Sequence, residues 1–186
     1  YSDANILGWV SADDAYCDSK KLLIDLNLIK QGYDCIFSRY MIYGPNIKNS
    51  KKKDLLGKEK IDPSNENFYY LYKNLISGNI FNGSSSIFKK ELFYQCGGFD
   101  SNLGIFDQDG DLWGKFLITS AKVGLSETKA FYRIHKNQTS NRLYEKELFS
   151  ALVRIRLLDL ILKNELTNII QYFENNPINQ DGFKYF

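Results

Sequence analysis

The sequence predicts an α/β fold: a sheet flanked by helices, followed by a helical C-terminal extension. Two patterns lead there. Short runs rich in apolar, aromatic and β-branched residues alternate with segments whose apolar residues recur at helical spacing. Glycines then stand where several of those helices would stop. In folds of this class the polar loops after the strands are where ligands bind.

Taken in order, Ile6 to Val10 reads as a short buried strand, because the run is apolar and stops at Ser11. Asp18 or Ser19 can cap a helix running to about Gln31, with Leu22, Leu23, Leu26 and Ile29 on one face and Gly32 as its stop. Tyr33 to Tyr43, rich in aromatic and β-branched residues, favours a strand. Residues 45–63 are polar and carry Lys51-Lys52-Lys53. They read first as a solvated loop, and otherwise as a mobile lid whose lysines meet an anionic substrate. Ser64 caps a helix to about Ser77, striped by Phe68, Leu71, Leu75 and Ile76.

Ser84 to Phe88 reads as the next strand, and Lys89 to Gln95 as one or two helical turns broken by Gly97-Gly98. A helix is expected from about Asp109 to Val123, ended by Gly124, and a strand within Leu125 to Ile134. Leu143 to Asn175 is strongly helical. It is long for one globular helix, so a break is expected near Asn164, and Pro177 closes the segment.

At 186 residues the chain suits one domain with a sizeable core. The net charge of +2 offers no case for a nucleic-acid partner. Cys17, Cys35 and Cys96 are odd in number and widely spaced, which matches neither a disulfide framework nor a zinc pattern and favours a reducing compartment. Asn82-Gly83-Ser84 and Asn137-Gln138-Thr139 fit the glycosylation sequon, which matters only in a secreted chain. No apolar run approaches a membrane span and no signal peptide is visible. The start at Tyr1, directly before a strand, reads as a piece of a longer protein, so a missing targeting signal carries little weight.

Two acidic clusters carry the chemistry. Asp13 and Asp14 follow the first strand directly. Hard carboxylate oxygens there suit Mg²⁺ or Mn²⁺, which takes one or two protein carboxylates plus substrate phosphates; a solvated strand-end turn is the plainer alternative. Asp107-Gln108-Asp109-Gly110-Asp111 lacks the Gly and Glu positions of a calcium loop. Asp109 and Asp111 then read either as acids stabilised at a helix N-terminus or as a site for a general base. His135, the sole histidine, sits in a polar loop after a strand and reads as either structural or functional. Arg133 could meet a phosphate or make an ordinary ion pair.

The order of these pieces resembles a known family. Trp9-Val10-Ser11-Ala12-Asp13-Asp14-Ala15-Tyr16 is similar to the strand-end acidic motif of family 2 glycosyltransferases. Ser86 to Phe93 with Cys96-Gly97-Gly98-Phe99-Asp100 resembles that family's central segment. Gln108-Asp109-Gly110-Asp111-Leu112-Trp113 resembles its Glu-Asp motif, and Tyr132-Arg133-Ile134-His135 with Ser140 its closing Tyr-Arg-x-His element. The resemblance covers about residues 4–140. It implies a GT-A fold, a mixed sheet flanked by helices, and transfer of a sugar from a nucleotide-sugar with inversion. By position, Asp13 would bind the metal and Asp109 would be the catalytic base. His135 would lie near the metal or diphosphate, and Arg133 and Asp14 would line the donor site.

The family's opening strands would lie upstream, leaving residues 1–140 as the C-terminal portion of a GT-A domain with an exposed sheet edge, and 141–186 as a helical extension. Ser11 and Gln108 depart from the motif's usual acids. The expected partners are a nucleotide-sugar and a glycan or glycoconjugate acceptor, in surface polysaccharide or glycoconjugate synthesis. The expected location is cytoplasmic, at or near the inner face of a membrane. The exposed edge invites a second copy of the chain. The C-terminal helices could pack on the domain, dimerise or touch a membrane, core packing being the default. Two other readings stand beside this one: a non-catalytic sugar- or protein-binding module or inactive fragment of such an enzyme, and a nucleotidyltransferase with a similar core.

Overall fold

A computed structural model describes residues 3–43, 81–103, 107–119, 121–138 and 143–163. They form a mixed α/β structure. The strands are β1 (Ile6–Gly8), β2 (Ala15–Tyr16), β3 (Cys35–Tyr43), β4 (Ser86–Lys89) and β5 (Val123–Arg133). The helices are α1 (Lys21–Lys30), α2 (Lys90–Gln95), α3 (Gln108–Ile118) and α4 (Leu143–Lys163). The expected lid at 45–63, the helix at 64–77 and the break near Asn164 lie outside the described residues.

One five-stranded sheet runs in the order β1-β4-β3-β5-β2. β3 and β5 pair in parallel, and every other neighbour pair is antiparallel. β1 and β2 are the edges, so the acidic turn that joins them connects opposite ends of the sheet. A register irregularity falls between Ser38 and Arg39.

β3 is the spine because both of its faces are covered. Cys35 and Phe37 face a cluster with Phe81, Phe88, Leu92, Trp113, Phe116 and Val123. Ile36 faces the other way, against Ile29 and Ile87. Strand alternation thus divides the core into an α3 side and an α1 side. Phe37 stacks on Phe81 with centroids 3.8 Å apart and meets Trp113 edge-on at 5.2 Å. Burying each large apolar side chain stabilises by about 1.5–3 kcal/mol.

α1 begins where Asp18 Oδ1 accepts the Lys20 N–H at 2.7 Å, and it ends at Gly32, whose φ of +103° suits glycine. Its inward face differs from the expected leucine stripe. Lys21, Asp25 and Ile29 are buried, while Leu22, Leu23 and Ile24 are 45%, 60% and 40% exposed. Spacing alone picks the helix but not its rotation, and here a polar network on β3 and β5 sets the rotation. Lys21 Nζ pairs with Asp25 and Ser38 and donates to the Ser85 carbonyl at 3.2 Å. Thr128 donates to Asp25 Oδ1 at 2.9 Å. Burial lowers the Lys21 pKa, opposed by the Asp25 hydrogen bond and charge.

α3 is also shorter than its pattern suggested. It ends at Ile118, where Thr119 turns extended and its hydroxyl donates to the Phe116 carbonyl at 2.9 Å. Val123 and Gly124 belong instead to β5, opposite Cys35 and Ile36. Gly124 is therefore a close-approach residue and not a helix stop: a Cβ there would sit 2.5 Å from the Tyr33 ring.

α4 packs against α3 through Val153 and Leu157, with Leu103, Phe149 and Leu160. Gly114 makes room for this, since a Cβ there would lie 2.3 Å from Leu157. Arg156 of α4 pairs with Asp100 at 2.7 Å and approaches the fully buried Asp111 at 3.7 Å; Lys115 pairs with Asp111 at 2.6 Å. One face of α4 thus packs on the core, while Leu148, Leu152, Ile155, Leu158 and Leu162 are exposed. No helix among the described residues is long and apolar enough to cross a membrane.

Candidate active site

The site is built around the 3-10 turn Gly83–Ser85, which leads into β4. On one side of it lies the acidic turn after β1. The Ser84 hydroxyl donates to Asp14 Oδ2 at 2.6 Å and accepts the Ser11 N–H at 3.0 Å. The Asp14 N–H closes the turn on the Ser11 carbonyl at 3.0 Å. Asp14 Oδ1 accepts the Arg133 N–H at 3.0 Å. Both Asp14 oxygens are therefore engaged by the protein, and the residue clamps the acidic turn to β4 and to the end of β5. Burial raises its pKa, against the lowering effect of those two donors.

That clamp brings His135 to Asp13. His135 Nε2 lies 2.7 Å from Asp13 Oδ2, across a separation of 122 residues, with each side chain about a third exposed. Gln138 shapes the loop that carries the imidazole. Its Oε1 accepts the His135 N–H at 3.2 Å, its own N–H donates to the His135 carbonyl at 3.2 Å, and its Nε2 donates to the Arg133 carbonyl. Arg133 is exposed, and its bonds to Asp14 and Gln138 run through its backbone.

On the other side of the same turn lies the start of α3. Asp107 holds a left-handed conformation with φ of +53°, a region that Asp tolerates better than most residues, and its carboxylate accepts the hydroxyl of Ser150 on α4. Half-buried Asp109 follows in the first helical turn, and its Oδ1 accepts the Gly110 N–H at 3.0 Å. A Cβ on Gly83 would stand 3.5 Å from Asp109 Oδ2 and 3.4 Å from Trp9 Cδ1. Asp14, which neighbours Asp13 in sequence, and Asp109 thus both reach a single three-residue turn.

Among the described residues, no group of three or more His, Cys, Asp or Glu side chains is arranged to hold a metal. Asp13 and His135 are one carboxylate and one imidazole, hydrogen-bonded to each other. That set suits Mn²⁺ better than Mg²⁺, which prefers oxygen alone, and it leaves the remaining positions to substrate oxygens. Sequence reasoning singled out Asp13, Asp14, Asp109, Arg133 and His135. It missed Ser84, because a hydrogen bond across 70 residues leaves no local pattern, and Gln138, whose bonds to Arg133 and His135 are local but belong to no motif. No protein-family model matches the chain, and comparison with curated proteins finds no matching relative.

Proposed function

We propose that the chain carries the acceptor side and part of the donor side of an inverting glycosyltransferase of GT-A type. It would transfer a sugar from a nucleotide-sugar to an acceptor hydroxyl in polysaccharide or glycoconjugate synthesis, at the cytoplasmic face of a membrane. One observation supports this reading: Asp14, next to the Asp13 that meets His135, is hydrogen-bonded to Ser84, while Asp109 Oδ2 lies by Gly83 of the same turn. The mixed sheet with flanking helices is compatible with that fold.

The roles follow from position. Asp109 Oδ2 accepts the proton of the acceptor hydroxyl. The freed oxygen forms its bond to the anomeric carbon from the face opposite the diphosphate, and the bond from that carbon to the diphosphate oxygen breaks, which inverts the centre. Asp13 and His135 are the side chains that would hold a divalent cation, and such an ion, when bound, neutralises charge on the leaving diphosphate. Asp14 orients Asp13 and the His135 loop; its two internal hydrogen bonds argue for this positioning role over donor binding.

Titration of the chain with uridine and guanosine diphosphates in Mn²⁺, paired with a transfer assay, tests the reading. Asp109→Asn should lose transfer by at least about a hundredfold while still binding the diphosphate. Asp13→Ala should weaken the Mn²⁺-dependent binding. Retained turnover in Asp109→Asn rejects the base, and a protein extended to include the family's opening strands that still binds neither diphosphate rejects the transferase. The engagement of Asp14 favours a second reading, a non-catalytic sugar-binding module, which predicts glycan binding without any nucleotide dependence.

A further inference from the structure

We propose that the indole of Trp9 is a stacking platform for the acceptor, a pyranose ring lying on it with its reactive hydroxyl directed at Asp109. The link to turnover rests on the transferase reading; the sugar-binding surface itself does not. The chain has two tryptophans. Trp113 is wholly buried in the core, whereas Trp9, at the end of the apolar β1 run, is 46% exposed.

Trp9 is held and not merely left outside. Its ring meets Phe99 edge-on with centroids 5.1 Å apart, and its Nε1 donates to Ser11 Oγ at 3.4 Å. Its backbone N–H donates to the Ser86 carbonyl at 3.4 Å. A rigid aromatic ring loses little entropy on binding, so it is a good anchor.

Its neighbours have the right chemistry. The pyrrole edge approaches the space above Gly83, with Cδ1 at 3.4 Å and Nε1 at 3.7 Å from a Cβ position that also lies 3.5 Å from Asp109 Oδ2. Trp9 and the candidate base therefore border the same small volume. A pyranose presents an apolar C–H face and a rim of hydroxyls. The indole suits the face, and Ser11 Oγ, which accepts the Trp9 Nε1–H, and Asp109, near the pyrrole edge, offer polar partners to the rim. Asp14, next to Asp13, is hydrogen-bonded to Ser84 of the same turn.

The test uses the full chain and a panel of methyl glycosides with gluco, galacto, manno and 2-acetamido-2-deoxy-gluco configurations. Because Trp113 is buried, a saturable fluorescence change reports Trp9, and saturation-transfer NMR identifies the sugar face in contact. At least one glycoside should bind. Trp9→Phe should keep that binding within a few-fold, and Trp9→Ala should weaken it by roughly tenfold or more, with an unchanged circular dichroism spectrum. In the transfer assay Trp9→Ala should raise the acceptor KM while diphosphate affinity stays at the wild-type value. Absence of binding by every glycoside, or equal binding by Trp9→Ala, overturns the platform. Glycoside binding that depends on Trp9, in a protein extended to include the family's opening strands that binds no nucleoside diphosphate, would reject the transferase and keep the platform.

Discussion

Asp14 shows how a carboxylate beside a candidate site can belong to the scaffold. Burial outweighs its two donors, so its carboxyl ionises at a higher pH in the folded chain than the ordinary 3.8. The folded protein then holds the proton longer than the unfolded one. Its contribution to stability therefore falls as pH rises from 3.8 through the folded value, and is level above it. Urea unfolding of wild type and Asp14→Asn across that window should show the wild-type advantage shrinking as pH rises; a growing advantage would reverse the assignment. Ser84→Ala removes the donor to Asp14 and the acceptor for Ser11 together, and should cost about 1–3 kcal/mol by the same measurement. The acids themselves were legible in the sequence, because Asp pairs after a strand and at a helix start are local patterns. Which acid turns toward ligand was not, since Ser84 and Arg133 reach Asp14 from 70 and 119 residues away.

Among the elements, α1 and the α3–α4 pair carry the sharpest expectations. Lys21→Met leaves Asp25 buried without its cation and should destabilise by about 3–5 kcal/mol. Lys21→Met with Asp25→Leu removes both charges and should recover most of that loss, as read from denaturant midpoints. If the double variant is as unstable as the single, the pair is not the source of the effect. Gly114→Ala should cost about 1–3 kcal/mol, because Leu157 is enclosed and cannot yield to the added methyl. Helix positions were legible from periodicity, but the rotation of α1 was not. A Lys and an Asp four residues apart read as an ordinary surface pair, and the hydrogen bonds to Ser38, Ser85 and Thr128 help make burying them tolerable. The end of α3 was misplaced for a related reason. Val123 and Gly124 are compatible with a helix locally, and pairing with β3 decides otherwise.

At the scale of the molecule, alternation of strands and helices announced an α/β class, and the polar turns at strand ends are where the candidate site formed. Strand order was not readable, because the neighbours of β3 come from far along the chain. β2, at two residues, was too short for any pattern. The parallel pairing of β3 with β5 also governs how the protein must be made. Ser38 and Thr128 meet across 90 residues. At ribosomal speeds of about 5–20 residues per second, that interval lasts roughly 5–20 seconds. β4 arrives first and covers one edge of β3, but the other edge, and the α3 layer over Phe37, must wait. For those seconds the driest stretch of the fold, Cys35 to Phe37, stands as an open template for any extended apolar chain nearby. Synthesis of this protein should therefore depend on a chaperone or on rapid completion of β5, and ribosome-bound chains stalled before Val123 should be cleaved by protease within β3 where finished chains resist.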